Sequence, residues 1–339
     1  MADGPAPLPH LPAKFVMRHI MSDDNPLRNN SALAATLAIL AVGALFIVSY
    51  FFIAEEFPFD VGRDVGRRLD IWLDWLEDNF SPVFQTIKDV IVWFLVALQD
   101  MMLWLSWPSI IGAIALASWL LVSFRMALFS ATSLLLLATF GLWESTVITI
   151  SLIIVTVSLS IAIAVPLGVW ASQSDRLDAF LRPVLDGMQT MPSFVYLVPA
   201  IAFFSLGETP AVLATLIYAV PPAIRLTNLG IRQLPAETLE AADSFGMTRR
   251  QMLIKVKIPL AIPTIMAGVN QTTLMALSMV VIASMVGAKG LGLDVFRALG
   301  RIEPGNGLIA GLGIVFLAII IDRITQALTR RQQDALGSE

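Results

Sequence analysis

The sequence has no cysteine and two histidines, so the residues that most often build metal centres and nucleophilic sites are almost missing. Without cysteine the chain forms neither a disulfide nor a thiolate-ligated metal site. His10 and His19 both lie near the N-terminus, away from any cluster of further ligands. The composition therefore excludes cysteine-dependent chemistry, and the sequence predicts no metal site and no catalytic residues.

Charge is also scarce, since 14% of the residues are Asp, Glu, Lys or Arg, 57% are hydrophobic and the mean hydropathy is +0.77. Soluble proteins carry about 25% charged residues. The 22 basic and 26 acidic residues nearly cancel and form no basic tract, which gives no reason to expect a nucleic-acid partner. This composition predicts a membrane protein.

Eight apolar segments have the length, or nearly the length, that a helix needs to cross a hydrocarbon core of about 30 Å. They are Ala32–Ala54, Ser109–Phe124, Met126–Leu142, Ser145–Ala171, Ser193–Leu206, Ala211–Arg225, Ile262–Val286 and Gly307–Ile321. The first is longer, and further from the N-terminus, than the apolar region of a cleaved signal peptide. The sequence therefore predicts an all-α, polytopic transmembrane bundle of about eight spans.

Residues 57–107 predict helices at the membrane surface rather than spans. Asp60–Phe80 repeats leucine and tryptophan at helical spacing opposite arginine and aspartate, which is typical of an amphipathic surface helix. Val90–Trp107 is apolar but carries Gln99 and Asp100 at its centre and several tryptophans. That pattern favours an interfacial or re-entrant helix.

The positions of the basic residues predict the orientation. If Val90–Trp107 does not span, both termini and most of the 22 basic residues lie on one side, which is then cytoplasmic. The resulting organisation is a flexible cytoplasmic tail over 1–30, an N-terminal transmembrane helix over 31–56, extracytoplasmic helices over 57–107, a transmembrane core over 108–328 with a polar loop over 226–261, and a cytoplasmic tail over 329–339. The chain is thus expected to be a multi-pass membrane protein with both termini in the cytoplasm.

The polar loop between the late spans is patterned as two short helices. Pro235 suits the first position of a helix, Glu237 and Glu240 lie in its early turns, and Gly246 supplies a stop. Thr248 begins a capping box with the glutamine three residues later.

The second helix is predicted to run to Pro259, where the next membrane segment begins. Leu239, Ala242 and Phe245 share one face of the first helix and predict an apolar ridge that another protein could receive. On the capping signals alone, a plain well-capped loop is the better interpretation.

A longer pattern decides between these interpretations. Glu240-Ala241-Ala242 is followed by Gly246 and, after nine intervening residues, by Val256-Lys257-Ile258-Pro259. This resembles the EAA motif of type I permease subunits of ATP-binding cassette (ABC) importers, with Val256 and Ile258 as apolar substitutions. Further segments, Asp186–Pro199, Pro221–Ile231 and Pro263–Gly292, resemble the permeases of glycine betaine/proline betaine importers.

The resemblance implies a role and a set of partners. Glu240, Ala241, Ala242, Gly246 and Pro259 would couple the chain to a separate ATPase, which binds ATP and Mg, and this chain would hold no cofactor. The implied partners are ATPase subunits, a separate substrate-binding protein, a second copy of the chain, a small solute and membrane lipid.

Two absences agree with an external energy source. Acidic side chains inside spans are expensive and usually functional, and the candidates here, Glu144, Glu208 and Asp322, lie at predicted span ends. Gly287–Gly292 contains glycines and a lysine but lacks the spacing of a phosphate-binding loop.

Two sets of residues are candidates for the translocation pathway. The first set, on one late span, is Asn270, Gln271, Thr273, Leu274, Ser278 and Met279. Such polar residues either line a cavity or hydrogen-bond between packed helices, and the sequence leaves both open. The second set is Met191, Tyr196 and Pro199, beside prolines that can break a helix at a cavity.

The aromatic residues form no cage for a quaternary ammonium group that can be recognised in the sequence, so the solute would be selected mainly by the binding protein. Choline, carnitine, trimethylamine N-oxide or an amino acid remain alternative solutes. A channel or scaffold without ATP coupling is the alternative of a different class.

Overall fold

The computed structural model describes residues 26–52 and 61–337, and the regular structure in these residues is entirely helical. The helices are α1 (Pro26–Phe52), α2 (Gly62–Trp104), α3 (Trp107–Leu121), α4 (Phe124–Thr139), α5 (Trp143–Gln173), α6 (Asp175–Thr190), α7 (Leu197–Phe204), α8 (Glu208–Arg232), α9 (Ala236–Ser244), α10 (Arg249–Met252), α11 (Ile258–Ser284), α12 (Leu291–Arg301) and α13 (Pro304–Gly337). A 3-10 turn over Ser193–Tyr196 precedes α7, and a π-turn over Leu253–Lys257 precedes α11. The all-α prediction is confirmed.

The chain divides into two compact units, residues 1–69 and 70–339. The first unit holds α1, whose stretch Leu33–Tyr50 has a mean hydropathy of 2.3 and no buried residue. A helix that is apolar on every face is stable where hydrocarbon surrounds it. Most of the predicted tail over 1–30 lies outside the described residues, and α13 continues without a break past the predicted boundary at 328.

Six helices in the described residues are long and apolar enough to span a membrane, or seven if one bent pair counts as a span. The sequence predicted about eight spans, and the difference includes α3 and α4, which are apolar but have only 15 and 16 residues. The predicted span Ser193–Leu206 is a 3-10 turn followed by the eight-residue α7, and this pair is bent by 108° from α6.

Helix α2 joins two segments that were predicted to be separate helices. It runs for 43 residues through Pro82 and meets the length and hydropathy of a span. Its C-terminal half is anchored by the buried Ile91 and Leu95 in a cluster with α5, α7, α8 and α11, and Phe84 stacks on Phe203 with ring centroids 4.7 Å apart. The separation into Asp60–Phe80 and Val90–Trp107 was therefore wrong, because Pro82 does not interrupt the helix.

Small residues hold the centre of the second unit together. Helix α8 makes its most extensive contacts with α5 and α11. A Cβ at Gly168 of α5 would lie 2.5 Å from Cβ of Thr227, and a Cβ at Gly230 would lie 2.8 Å from Cβ of Thr264. These glycines let the helix backbones approach more closely than any side chain permits, as in other membrane bundles.

The helix that begins at Arg249 does not stop at Pro259 as predicted. The path from Arg249 to Ser284 is continuous, and the N–H of Ile258 donates to the carbonyl oxygen of Leu253, five residues earlier. A π-turn adds one residue to a single turn. Because the wider turn falls directly before Pro259, the missing N–H and the bulky ring are accommodated without a break.

Candidate functional site

Helix α9 carries Glu240, Ala241 and Ala242 of the motif, and Gly246 lies two residues after its last residue, Ser244. The helix begins at Ala236, one residue later than predicted, so Pro235 is its N-cap, and Glu237 lies in its first turn. Gly246 has φ = +71° and donates its N–H to the carbonyl oxygen of Asp243 at 2.8 Å. A positive φ is where glycine ends helices without strain.

The exposed surface of α9 differs from the predicted apolar ridge. Ala242 is only 6% exposed and Leu239 is half-buried, whereas Phe245 is 86% exposed. The prediction of an exposed apolar ridge was wrong, because two of its three residues face the rest of the chain. What projects is the acidic and small face of Glu240 and Ala241, with Phe245 at its end.

The segment after Gly246 is fixed by the predicted capping box. The N–H of Thr248 donates to Oε1 of Gln251 at 2.9 Å, and the N–H of Gln251 donates to Oγ1 of Thr248 at 3.3 Å. No described atom lies within 4 Å of the position that a Cβ at Gly246 would take. The motif is therefore a defined helix end that is open to a partner.

Arg232, the last residue of α8, connects this region to the bundle. Its guanidinium donates to Oδ1 of Asp175 at 2.6 Å, to the carbonyl oxygen of Ala171 at 2.8 Å and to Oδ1 of Asn228 at 2.9 Å. These contacts join the end of α5, the start of α6 and the end of α8. The sequence analysis missed the connection, because Arg232 is 61 residues from Ala171 and carries no local signal.

Asp178 is the buried centre of the same connection. It accepts from the guanidinium of Arg182 at 2.6 Å and from Nδ2 of Asn228 at 2.7 Å. The hydrogen bond from Arg182 lowers the pKa of this carboxyl, the bond from Asn228 and the charges of Arg182 and Arg232 add to that effect, and burial opposes it.

We expect Asp178→Asn to reduce the stability of the protein at pH 7 by about 1–3 kcal/mol, because a charged hydrogen-bond network loses its centre. A carboxyl whose folded pKa is lowered stabilises the fold above its unfolded pKa of about 3.9, and this contribution is lost as the pH falls through the folded pKa. Thermal unfolding in detergent at pH 7 and below pH 4 measures both effects. Asp175→Asn, at an exposed position, is the matched control, and equal unfolding curves for both variants and the wild type would contradict the expectation.

The first set of pathway candidates is split between two faces of α11. Gln271, Leu274 and Ser278 are exposed on one face, whereas Thr273 and Met279 are buried. Successive residues of an α-helix are about 100° apart, so a continuous stretch must cover both faces. The structure therefore brings Gln271 and Ser278 together as the polar residues of the open face.

Asn270 joins α11 to α13 rather than facing open space. Its Nδ2 donates to Oδ1 of Asp322 at 3.0 Å, and Asp322 also accepts from Gln326 at 2.8 Å. Asp322 does not lie at the end of its helix as predicted, since the candidate span runs from Pro304 to Arg330. For Asn270, the geometry favours the alternative of a hydrogen bond between packed helices.

The second set follows the bend between α6 and α7. Met191 and Pro199 are exposed, and Tyr196 is buried with its hydroxyl donating to the carbonyl oxygen of Met188. Tyr196 thus ties the 3-10 turn back to the end of α6 and is not part of an open wall.

Comparison with known proteins adds a family. Residues 164–334 match the family model described as "Binding-protein-dependent transport system inner membrane component". The chain is 46% identical over 266 residues to the glycine betaine/proline betaine transport system permease protein ProW of Escherichia coli (strain K12), covering 77% of this chain and 75% of that protein.

Two further relatives are covered almost completely. The chain is 43% identical to the glycine betaine/carnitine transport permease protein GbuB of Listeria monocytogenes serotype 1/2a (strain 10403S), covering 77% of this chain and 95% of GbuB. It is 44% identical to the glycine betaine transport system permease protein OpuAB of Bacillus subtilis (strain 168), covering 76% and 92%. A solved inward-facing MetNI methionine ABC transporter shares the fold at 20% identity with a TM-score of 0.51, covering 57% of this chain and 95% of that chain.

Proposed function

From the premise that the chain belongs to the family of binding-protein-dependent transport system inner membrane components, as a permease of the glycine betaine type, we propose that it forms the membrane pathway for glycine betaine or proline betaine. The observation that carries this proposal is the similarity to ProW, GbuB and OpuAB over most of their lengths, joined to an exposed motif helix in the expected place. The chain is a transport subunit, and its partners are an ATPase and a substrate-binding protein.

In this proposal α9 docks on the ATPase through Glu240, Ala241, Ala242 and Gly246, of which Ala242 supports the helix from its buried side. Closure of the ATPase on ATP, with Mg bound there, would move α9 and the helices attached to it. Pro259 acts indirectly, by setting where the π-turn ends and α11 begins.

The pathway is proposed to run along the open face of α11. Gln271 and Ser278 are exposed in a helix whose surroundings are apolar. Polar side chains at membrane depth normally face a protein interface or a water-filled cavity. A second copy of the chain placed against this face would enclose such a cavity, with Met191 and Pro199 at its cytoplasmic end and both termini in the cytoplasm.

Uptake into proteoliposomes tests the function. The chain, its ATPase and the binding protein are reconstituted, and radiolabelled glycine betaine uptake is measured with and without internal ATP. Competition with proline betaine, carnitine, choline, trimethylamine N-oxide and an amino acid identifies the solute. Uptake that does not depend on ATP would instead favour a channel.

We expect Glu240→Lys to lower ATP-driven uptake at least tenfold while the amount of folded permease in the membrane stays unchanged, because the side chain is exposed and its charge is reversed at the docking surface. Asp243→Lys, an exposed acid-to-base change in the same short helix, is the matched control and should have a smaller effect. Equal losses for both variants would attribute the effect to net charge, and normal uptake in Glu240→Lys would remove this residue from the docking surface.

A further inference from the structure

Two sets of ion pairs and hydrogen bonds join α6 to the last two turns of α8. At one end, Arg232 and Asn228 bind Asp175 and Asp178. At the other end, Arg225 donates to Oδ1 of Asp186 at 2.5 Å.

The two sets of ion pairs are separated by about the same distance along α6 as along α8. Arg225 and Arg232 are seven residues apart on α8. On α6, Asp186 is eight residues from Asp178, whose carboxylate lies 4.0 Å from the guanidinium of Arg232, so each pair spans about 10–12 Å at 1.5 Å per residue. The order is reversed, since the earlier residue of α8 binds the later residue of α6. The two helices therefore lie side by side and antiparallel at this point.

Apolar contact alone does not fix how these helices sit. Leu181, Leu185 and Met188 of α6 pack with Val220 and Ile224 of α8. A cavity of about 390 Å³ beside this contact is lined by apolar residues of both helices and by charged residues of both sets of ion pairs. Burial of apolar surface is non-directional and permits small sliding movements. Hydrogen-bonded ion pairs have a defined geometry and set the relative position.

The chain connects this pair of helices to both parts of the proposed mechanism. Three residues, Gln233–Pro235, separate the end of α8 from α9. At its other end α6 leads directly to Met191, and the hydroxyl of Tyr196 binds the carbonyl oxygen of Met188 in α6. The chain is therefore connected from α9 through α8 and α6 to the Met191–Pro199 segment.

We propose that α6 is a relay: the ion pairs Arg225–Asp186 and Arg232–Asp175/Asp178 make it move as one body with the end of α8, so that motion of α9 repositions the Met191–Pro199 segment. This inference rests on the proposed function. The residues act as positioning residues and touch no solute.

Because the ion pairs of Asp175 and Asp186 are largely exposed, we expect them to position α6 while contributing little to the stability of the protein. Asp186 is 65% exposed and Asp175 is 92% exposed. Exposed ion pairs contribute little to stability. Breaking the Arg225–Asp186 pair should therefore leave the protein folded while loosening α6.

A charge swap tests the relay in the reconstituted complex of permease, ATPase and binding protein. We expect Asp186→Arg and Arg225→Asp each to lower the number of solute molecules transported per ATP hydrolysed at least fivefold, with ATP hydrolysis continuing, since typical coupling energies correspond to 5–150-fold. The double variant restores the ion pair with reversed polarity and should recover the ratio to within about twofold of the wild type.

Arg176→Asp is the matched control, because Arg176 is an exposed residue of α6 that forms no ion pair within the described part of the chain. It should transport at the wild-type ratio. Normal ratios in both single variants, or a loss of membrane-inserted protein without a change in ratio, would overturn the relay. A wild-type complex without ATP-driven uptake would instead overturn the proposed function.

Spin labels provide a direct measurement of common movement. The sequence has no cysteine, so Phe180→Cys in α6 and Leu229→Cys in α8, both exposed, place two labels without background. The distance between the labels should be the same in the nucleotide-free and ATP-trapped complexes and should broaden when Arg225→Asp is added. A shift of several ångströms between the two states of the otherwise unmodified complex would contradict a rigid pair.

Discussion

Gly246→Asp is expected to reduce solute-stimulated ATP hydrolysis of the assembled complex to its unstimulated level and to abolish uptake. The backbone at this position has φ = +71°, a region that aspartate adopts more readily than most residues, so the helix end should survive. No described atom lies within 4 Å of the new Cβ. The side chain and its charge therefore disturb the docking surface and not the fold of the chain.

Gly141→Asp is the control for backbone strain. Gly141 has φ = +75° and equally open surroundings, but it lies in the turn between α4 and α5, away from α9. ATP hydrolysis and uptake are measured for both variants in proteoliposomes, together with thermal unfolding of the permease. Equal damage from both substitutions would mean that strain at a positive φ, rather than docking, causes the loss.

Gly168→Val is expected to have the largest effect on the fold, lowering stability by more than about 3 kcal/mol and removing most of the protein from the membrane. The first atom of the new side chain would lie 2.5 Å from Cβ of Thr227 and 2.8 Å from the backbone oxygen of Ile224. The backbone oxygen cannot move aside, so α5 and α8 must separate. Overpacking of this kind costs about 1–3 kcal/mol in ordinary cores and more where the backbone must shift.

Gly187→Ala is the matched control for this substitution. Gly187 also lies inside a helix, α6, but no described atom is within 4 Å of its missing Cβ. Alanine is a better helix former than glycine by about 1 kcal/mol, so this variant should be as stable as the wild type or slightly more stable. Thermal unfolding in detergent and the amount of protein in the membrane are the measurements. A Gly168→Val protein that unfolds at the wild-type temperature would refute the close contact between α5 and α8.

Local features of the coupling region could be predicted because local chemistry produces them. Gly246 ends α9, and Thr248 with Gln251 closes a capping box, since both effects depend on residues within four positions. The Arg232 connection could not be predicted in this way. Its partners come from α5 and α6, and a basic residue at the end of a helix looks the same in a sequence whether it is paired or free.

The pathway candidates show a limit that is specific to membranes. In a soluble protein the apolar face of a helix marks the core, but lipid-facing and core-facing residues of a span are both apolar. The sequence of α11 therefore identified polar residues without separating the face of Gln271 and Ser278 from the face of Asn270. Burial in the folded chain makes that separation.

The π-turn before Pro259 also sets a direction. In a regular α-helix, one extra residue would rotate everything on its N-terminal side by about 100° around the axis of α11, and the wider turn over Leu253–Lys257 absorbs that rotation. The azimuth of Phe245 and Glu240 around that axis therefore depends on how Leu253–Lys257 is wound. If the same residues formed a regular α-helix, every docking side chain would still be present, but the whole group would point about a quarter-turn away from its partner.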